Sequence, residues 1–242
     1  AVADLAGIGD PKAGMSGSEV SPVLTPRPLT LCDPSQWPFI TDKRKMANTN
    51  APFGALPFLG ADGAAPTYGM RTRLIAYNDT TKIYRGDLVK QLNTGYIAQW
   101  TAGTAVSQAG GIFWGCKYYS VSQKTTTFSP YWPGADVATN AVVTAYIIPI
   151  NTAVPPMFTI QSDSTGVAFA DIGLNCDVAM GTGSTLTGMS GMYLNVSTAA
   201  TTATLPFRII RLLSDSGVGS GTEAGAYNRV VVQANIYQET GI

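Results

Sequence analysis

Between residues 70 and 237, runs rich in Thr, Val, Ile and Tyr recur about every 10–15 residues, each bounded by turn residues. β-Branched and aromatic side chains pack well on a pleated surface, so such runs read as strands. They are MRTRLIAY (70–77), KIYRGDLVKQL (82–92), GYIAQW (95–100), GIFWGCKYYSV (111–121), KTTTF (124–128), NAVVTAYIIPI (140–150), MFTIQ (157–161), GMYLNVS (191–197), PFRIIRLL (206–213) and NRVVVQANIY (228–237). Gly86–Asp87 breaks the second run as a bulge or tight corner would, and the turn at Asn93–Thr94 makes 82–100 a hairpin. One helix is expected, over 162–173, with Asp163 or Ser164 as N-cap and Gly173 just past its end. Many short strands suggest a sandwich or barrel. The expected fold is mostly β, a β-sandwich or β-barrel-like domain at 70–242 with one short helix.

Residues 1–45 follow other rules. Pro11, Pro22, Pro26, Pro28, Pro34 and Pro38 recur among Gly and Ser with no periodicity. Each proline fixes its own φ and pushes its predecessor toward extended backbone. This stretch is expected to be an extended N-terminal arm laid along a partner or a neighbouring copy, with Leu29, Leu31, Trp37, Phe39 and Ile40 as anchors. Lys43, Arg44 and Lys45 close it, either as a solvated turn or as a contact for an acidic neighbour. A Gly/Pro-rich connecting segment, 46–69, follows.

Composition narrows the function. Only 12% of the 242 residues are charged, where about 25% is usual. A neutral, Thr/Gly-rich surface suits a chain packed against other chains. The net charge of zero gives no global field to draw nucleic acid or an anionic membrane. Residues 125–207 hold four Asp and no Lys or Arg, while residues 1–124 hold twelve basic and eight acidic residues. Such asymmetry would orient copies on meeting. Cys32, Cys116 and Cys176 lie too far apart for a metal knuckle and read as free thiols from a reducing cytoplasm. The N-terminus does not read as a signal peptide, and prolines interrupt the longest uncharged runs, so no membrane span is expected.

The chain has no histidine. That removes Ser-His-Asp and Cys-His nucleophile pairs and the commonest metal ligand. Asp163, Asp171 and Asp177 could serve glycoside hydrolysis as paired carboxylates, but Asp equally favours caps and turns. The glycines of 181–191 and 216–225 lack the Lys-Ser/Thr of a phosphate loop and read as flexible β connections. No catalytic residue, cofactor or metal is expected. The stretch TTFSPYWPGAD (126–136) sets Phe128, Tyr131 and Trp132 among Pro130, Pro133 and Gly134, neither helix nor regular strand. Its aromatics suit either a sugar platform or a rigid corner that anchors an interface.

Several blocks resemble, in the same order, those of a family of tailed-bacteriophage head structural proteins that includes capsid cement and decoration proteins. They are MANTNAPFG (46–54), IYRGDLVK (83–90), GIFWGCKYYS (111–120), FSPYWPGAD (128–136), MFTIQSD (157–163), DIGLNCD (171–177), PFRIIRLLSD (206–215) and VVVQANIY (230–237). The resemblance covers 46–242 and leaves the arm aside. It implies a non-catalytic homo-oligomer made in the host cytoplasm and carried on the outer surface of the virion head. Its partners would be the phage major capsid protein and neighbouring copies of itself. The candidate interface is then Leu29, Leu31, Trp37, Phe39, Ile40, Lys43, Arg44 and Lys45 of the arm, with Phe128, Tyr131 and Trp132. A carbohydrate-binding or host-recognition module of a virion is the alternative, and a major capsid protein a more distant one.

Overall fold

The computed structural model describes residues 48–60, 65, 69–152, 155–213 and 225–235. The arm, with Leu29, Leu31, Trp37, Phe39, Ile40, Lys43, Arg44 and Lys45, lies outside these residues. The strands are β1 (Leu56–Leu59), β2 (Arg71–Ile75), β3 (Ile83–Tyr84), β4 (Leu88–Gln91), β5 (Tyr96–Gln99), β6 (Ala109–Ser120) and β7 (Thr125–Ser129), then β8 (Tyr131–Trp132), β9 (Val143–Ile148), β10 (Met157–Gln161), β11 (Asn175–Ala179), β12 (Tyr193–Ala200), β13 (Phe207–Leu212) and β14 (Arg229–Ala234). The mostly-β expectation holds.

Pairing gathers most of these strands into two rings. In the first, the order β4-β5-β2-β9-β6 closes on itself because β4 also pairs with β6, and β7 flanks β6 outside the ring. Its β2–β5 pair is parallel and its other pairs are antiparallel. In the second, β10-β14-β13-β11-β12 closes through a parallel bridge between Ser162 and Leu194, where the Asp163 N–H donates to the Leu194 carbonyl at 3.1 Å. There β1 flanks β10. β3 and β8 form a separate two-stranded ribbon.

Period-two burial fills each ring. Phe158, Val232 and Ile209 are register neighbours across three strands of the second barrel, and all are fully buried. Ile75, Val143 and Ile97 do the same in the first. The opposite face of the first barrel turns Leu88, Ile112 and Ile148 toward the second, joining its core cluster together with Trp100 and Ile150. Burying such side chains contributes about 1.5–3 kcal/mol each. Buried carboxylates also tie the halves together. Asp177 on β11 accepts from Trp100 Nε1 (3.1 Å) and the Gly103 N–H (3.2 Å). Asp87 accepts from the Tyr84 N–H (2.8 Å), from Gln99 Nε2 (2.9 Å) and, by a short bond, from the Ser190 hydroxyl.

Three local expectations need correction. The helix over 162–173 is absent; a single 3-10 turn, Phe169–Asp171, stands there. Asp163 spends its carboxylate on the Thr165 N–H and on the Val196 N–H of β12, both at 2.9 Å. Buried Asn228 takes the backbone of Val167 on both sides, accepting its N–H at 3.0 Å and donating to its carbonyl at 2.9 Å. Those groups are thereby withdrawn from a helical ladder. The connecting segment 46–69 contributes an edge strand, β1, whose Pro57 is tolerated because an edge residue can lack a ladder N–H. The glycines around 181–191 are close-packing positions, since a Cβ at Gly183 would overlap the Tyr84 ring and one at Gly188 would lie 2.5 Å from Pro130 Cγ.

Candidate interaction surface

The aromatic corner is built from β7, β8 and the turn after them. Tyr131–Trp132 is a short strand after all, paired as Ile83↔Trp132 and Tyr84↔Tyr131. Trp132 is fully buried within its own chain. Its Nε1 donates to the Asp79 carbonyl at 3.0 Å and its ring meets Tyr118 edge-on, 5.5 Å between centroids. Tyr131 stacks on Tyr84 at 5.5 Å and is half-buried. Trp132 therefore offers nothing to a sugar or a partner, and its place among the candidate interface residues is corrected to a core anchor. Gly134 (φ +70°) lets the chain pass against the Thr80 carbonyl, and Asp136 (φ +63°) closes the corner. Hydrogen bonds from the Ser120 hydroxyl and then from Ser122 hold the Asp136 carboxyl below the usual carboxylate range.

Phe128 is the member of the trio that faces outward, 68% exposed. Cross-strand registers place it at one end of a row along the outer face of the first barrel: Phe128–Lys117–Thr144–Leu74–Tyr96, five strands wide. Leu74 and Tyr96 are themselves 43% and 38% exposed. The Lys117 ammonium sits 5.6 Å from the Phe128 ring centre, the one charge in the row. Beside Phe128 a hollow of about 380 Å³ is lined by Met70, Trp114, Pro130 and Tyr146. The Arg85 guanidinium lies 3.7 Å over the Trp114 ring. Sequence reasoning found Phe128 but missed Leu74 and Tyr96, whose exposure depends on which strand each faces across the ring.

No family model, curated protein or solved structure matches this chain.

The remaining candidates among the described residues are engaged as follows. Asp171 accepts from the Ala168 N–H at 2.8 Å, so each of the three aspartates weighed as a carboxylate pair is bonded to backbone N–H groups. Cys116 and Cys176 are buried, and burial pushes both thiols up to about 12, far from the thiolate a nucleophile requires. Among the described residues, no group of three His, Cys, Asp or Glu side chains is placed to hold a metal ion. A cleft of about 360 Å³ with mixed walls lies at the edge of the second barrel, lined by Asn50, Asp163, Ser164, Tyr193 and Tyr227 among others.

Proposed function

We propose that this chain is a structural protein of a phage head, a cement or decoration protein that binds the assembled shell and stabilises contacts between capsomers. The exposed apolar side chains of the outer row, Phe128 at one end and Leu74 with Tyr96 at the other, carry the reading most directly, because exposed apolar surface is a common interaction surface. The ordered blocks that resemble phage head proteins and the low proportion of charged residues support it. A protein that binds the assembled state and not free subunits stabilises that state by mass action. Repetition over a lattice multiplies a modest affinity at each site. Adding the purified chain to heads that lack it tests this. Saturable binding to assembled shells, absence of binding to free shell subunits, and a higher particle melting temperature are expected. Failure to bind assembled shells would reject the reading.

A second reading, a carbohydrate-binding or host-recognition module, now rests on the cleft at Tyr193 and Tyr227 in place of the buried Trp132. On a glycan array it requires specific binding that is lost in Tyr193→Ala; an empty array removes it.

A further inference from the structure

The hollow beside Phe128 owes its shape to a bulge. Against β9, the register of β6 slips between Phe113 and Gly115, so Trp114 is an extra residue in its strand. Bulges re-aim a side chain in this way. Gly115 beside it adds no side chain, and Met70, Trp114, Phe128, Pro130 and Tyr146 wall the space of about 380 Å³. Among the described residues no carboxylate lines it. Two cations stand against its aromatic walls instead, Arg85 over Trp114 at 3.7 Å and Lys117 beside Phe128 at 5.6 Å. The Arg85 Nε is buried without a hydrogen-bond partner among the described residues. An aromatic-backed guanidinium of this kind favours a carboxylate arriving from outside.

The second barrel carries the opposite shape and the opposite charge. Ala168, Phe169 and Ala170 are all exposed, Phe169 by 81%. The 3-10 turn Phe169–Asp171 sets a carboxylate two residues from that ring, and its bond from the Ala168 N–H at 2.8 Å fixes the carboxylate in place. Asp163, Asp171 and Asp177 all lie close enough for their charges to help raise the Cys176 thiol. Arg208 approaches the same turn at Gly173 and offsets one of the three. Leu186 is more exposed still, at 95%, but stands between Thr185 and Thr187 with no acidic neighbour in the chain.

We infer that Phe169 of one copy seats in the Met70–Trp114–Tyr146 hollow of a second copy, with Asp171 facing Arg85 and Lys117. An aromatic ring among aromatic walls supplies affinity, and opposite charges around it set the orientation. The small Ala168 and Ala170 let the two backbones approach. Knob and hollow lie on different barrels, so the contact is head-to-tail, and a pair retains one knob and one hollow for further copies. The Leu74–Tyr96 end of the outer row stays clear of it. Only this chain is needed, so copy binding and shell binding can fail separately.

The test uses the full chain with Phe169→p-benzoylphenylalanine, a substitution at an exposed site, mixed with isotope-labelled copies. Irradiation should link residue 169 to peptides of the labelled chain that carry Met70, Trp114 or Tyr146. The yield should fall at least about tenfold when the labelled copies carry Met70→Glu, a charge placed at a hollow residue that is 47% exposed. Sedimentation gives a second readout. Phe169→Ser and Met70→Glu should each lower self-association, and an equimolar mixture of the two should regain pairs, since one variant keeps the hollow and the other keeps the knob. Leu186→Ser should associate as the parent does. An absence of crosslinks between chains, crosslinks that map to other surfaces, a yield indifferent to Met70→Glu, a mixture that regains nothing, or an equal loss in Leu186→Ser would each overturn it.

Discussion

Among the described residues, the exposed large apolar side chains that lie on strands all belong to the first barrel, at Leu74, Tyr96, Tyr119 and Phe128, and none to the second. Over the second, β1 pairs with β10, and Phe53 and Phe58 lie near Arg229 and Arg211, so outward-facing polar and cationic side chains are matched locally. Over the first, the cross-strand row holds Leu74, Tyr96 and Phe128 exposed, with a single cation between them. The difference lies in what each outer face presents among the described residues, and an exposed apolar patch is a common interaction surface.

Substitutions can break this contrast in graded steps. The largest effect should come from Trp132→Ala, which empties a fully buried site and removes the bond to Asp79; a loss of about 3–5 kcal/mol is expected in urea unfolding. If it unfolds the chain outright, Trp132→Phe should give a smaller, measurable loss in the same direction. Next is Asp87→Ala, which strips the Tyr84 N–H, Gln99 and Ser190 of their acceptor at the barrel junction and should cost about 1–3 kcal/mol. Burial raises the Asp87 carboxyl above its ordinary value of 3.8, outweighing the hydrogen bonds from Ser190, Tyr84 and Gln99 that lower it. Because its folded value lies above the unfolded one, its contribution is fully present below 3.8 and is lost as pH rises through the raised value. Asp87→Asn should flatten that part of the stability-pH curve; an unchanged slope would show that Asp87 does not titrate differently on folding. On the second barrel, Phe58→Ala should cost about 1–2 kcal/mol, the cation-aromatic contact with Arg211 together with the partial burial of the ring. On the first barrel, Phe128→Ser should stay within about 0.5 kcal/mol of the parent, because its ring gives little to the isolated fold. A large loss at Phe128 would erase the contrast.

Much of the strand pattern was legible in the sequence. The Gly86–Asp87 break became the corner between β3 and β4, and the Asn93–Thr94 turn joins β4 to β5 as the hairpin required. Ring closure was not legible, because the Leu88–Ile112 and Ser162–Leu194 pairings join residues far apart in sequence and leave no local periodicity. β11 was missed because Asn175 and Asp177 are poor strand formers in isolation. Asp177 is stable there because Trp100 and Gly103 from the other barrel satisfy its carboxylate. The aromatic corner was recognised as rigid, but sequence could not say that Trp132 points inward while Phe128, four residues earlier, points out.

The exposed face itself is tested most directly away from the β7 edge, by Leu74→Glu with Tyr96→Glu in the full chain. Both residues sit at the far end of the row and are partly exposed, but as register neighbours their like charges should lower the unfolding midpoint modestly, so occupancy is compared well below the variant's midpoint. Occupancy on assembled heads, measured by copy number per particle, should fall at least about tenfold, a loss of 1.4 kcal/mol or more per site. Full occupancy by this variant would contradict the proposal that the first barrel's outer face meets the shell.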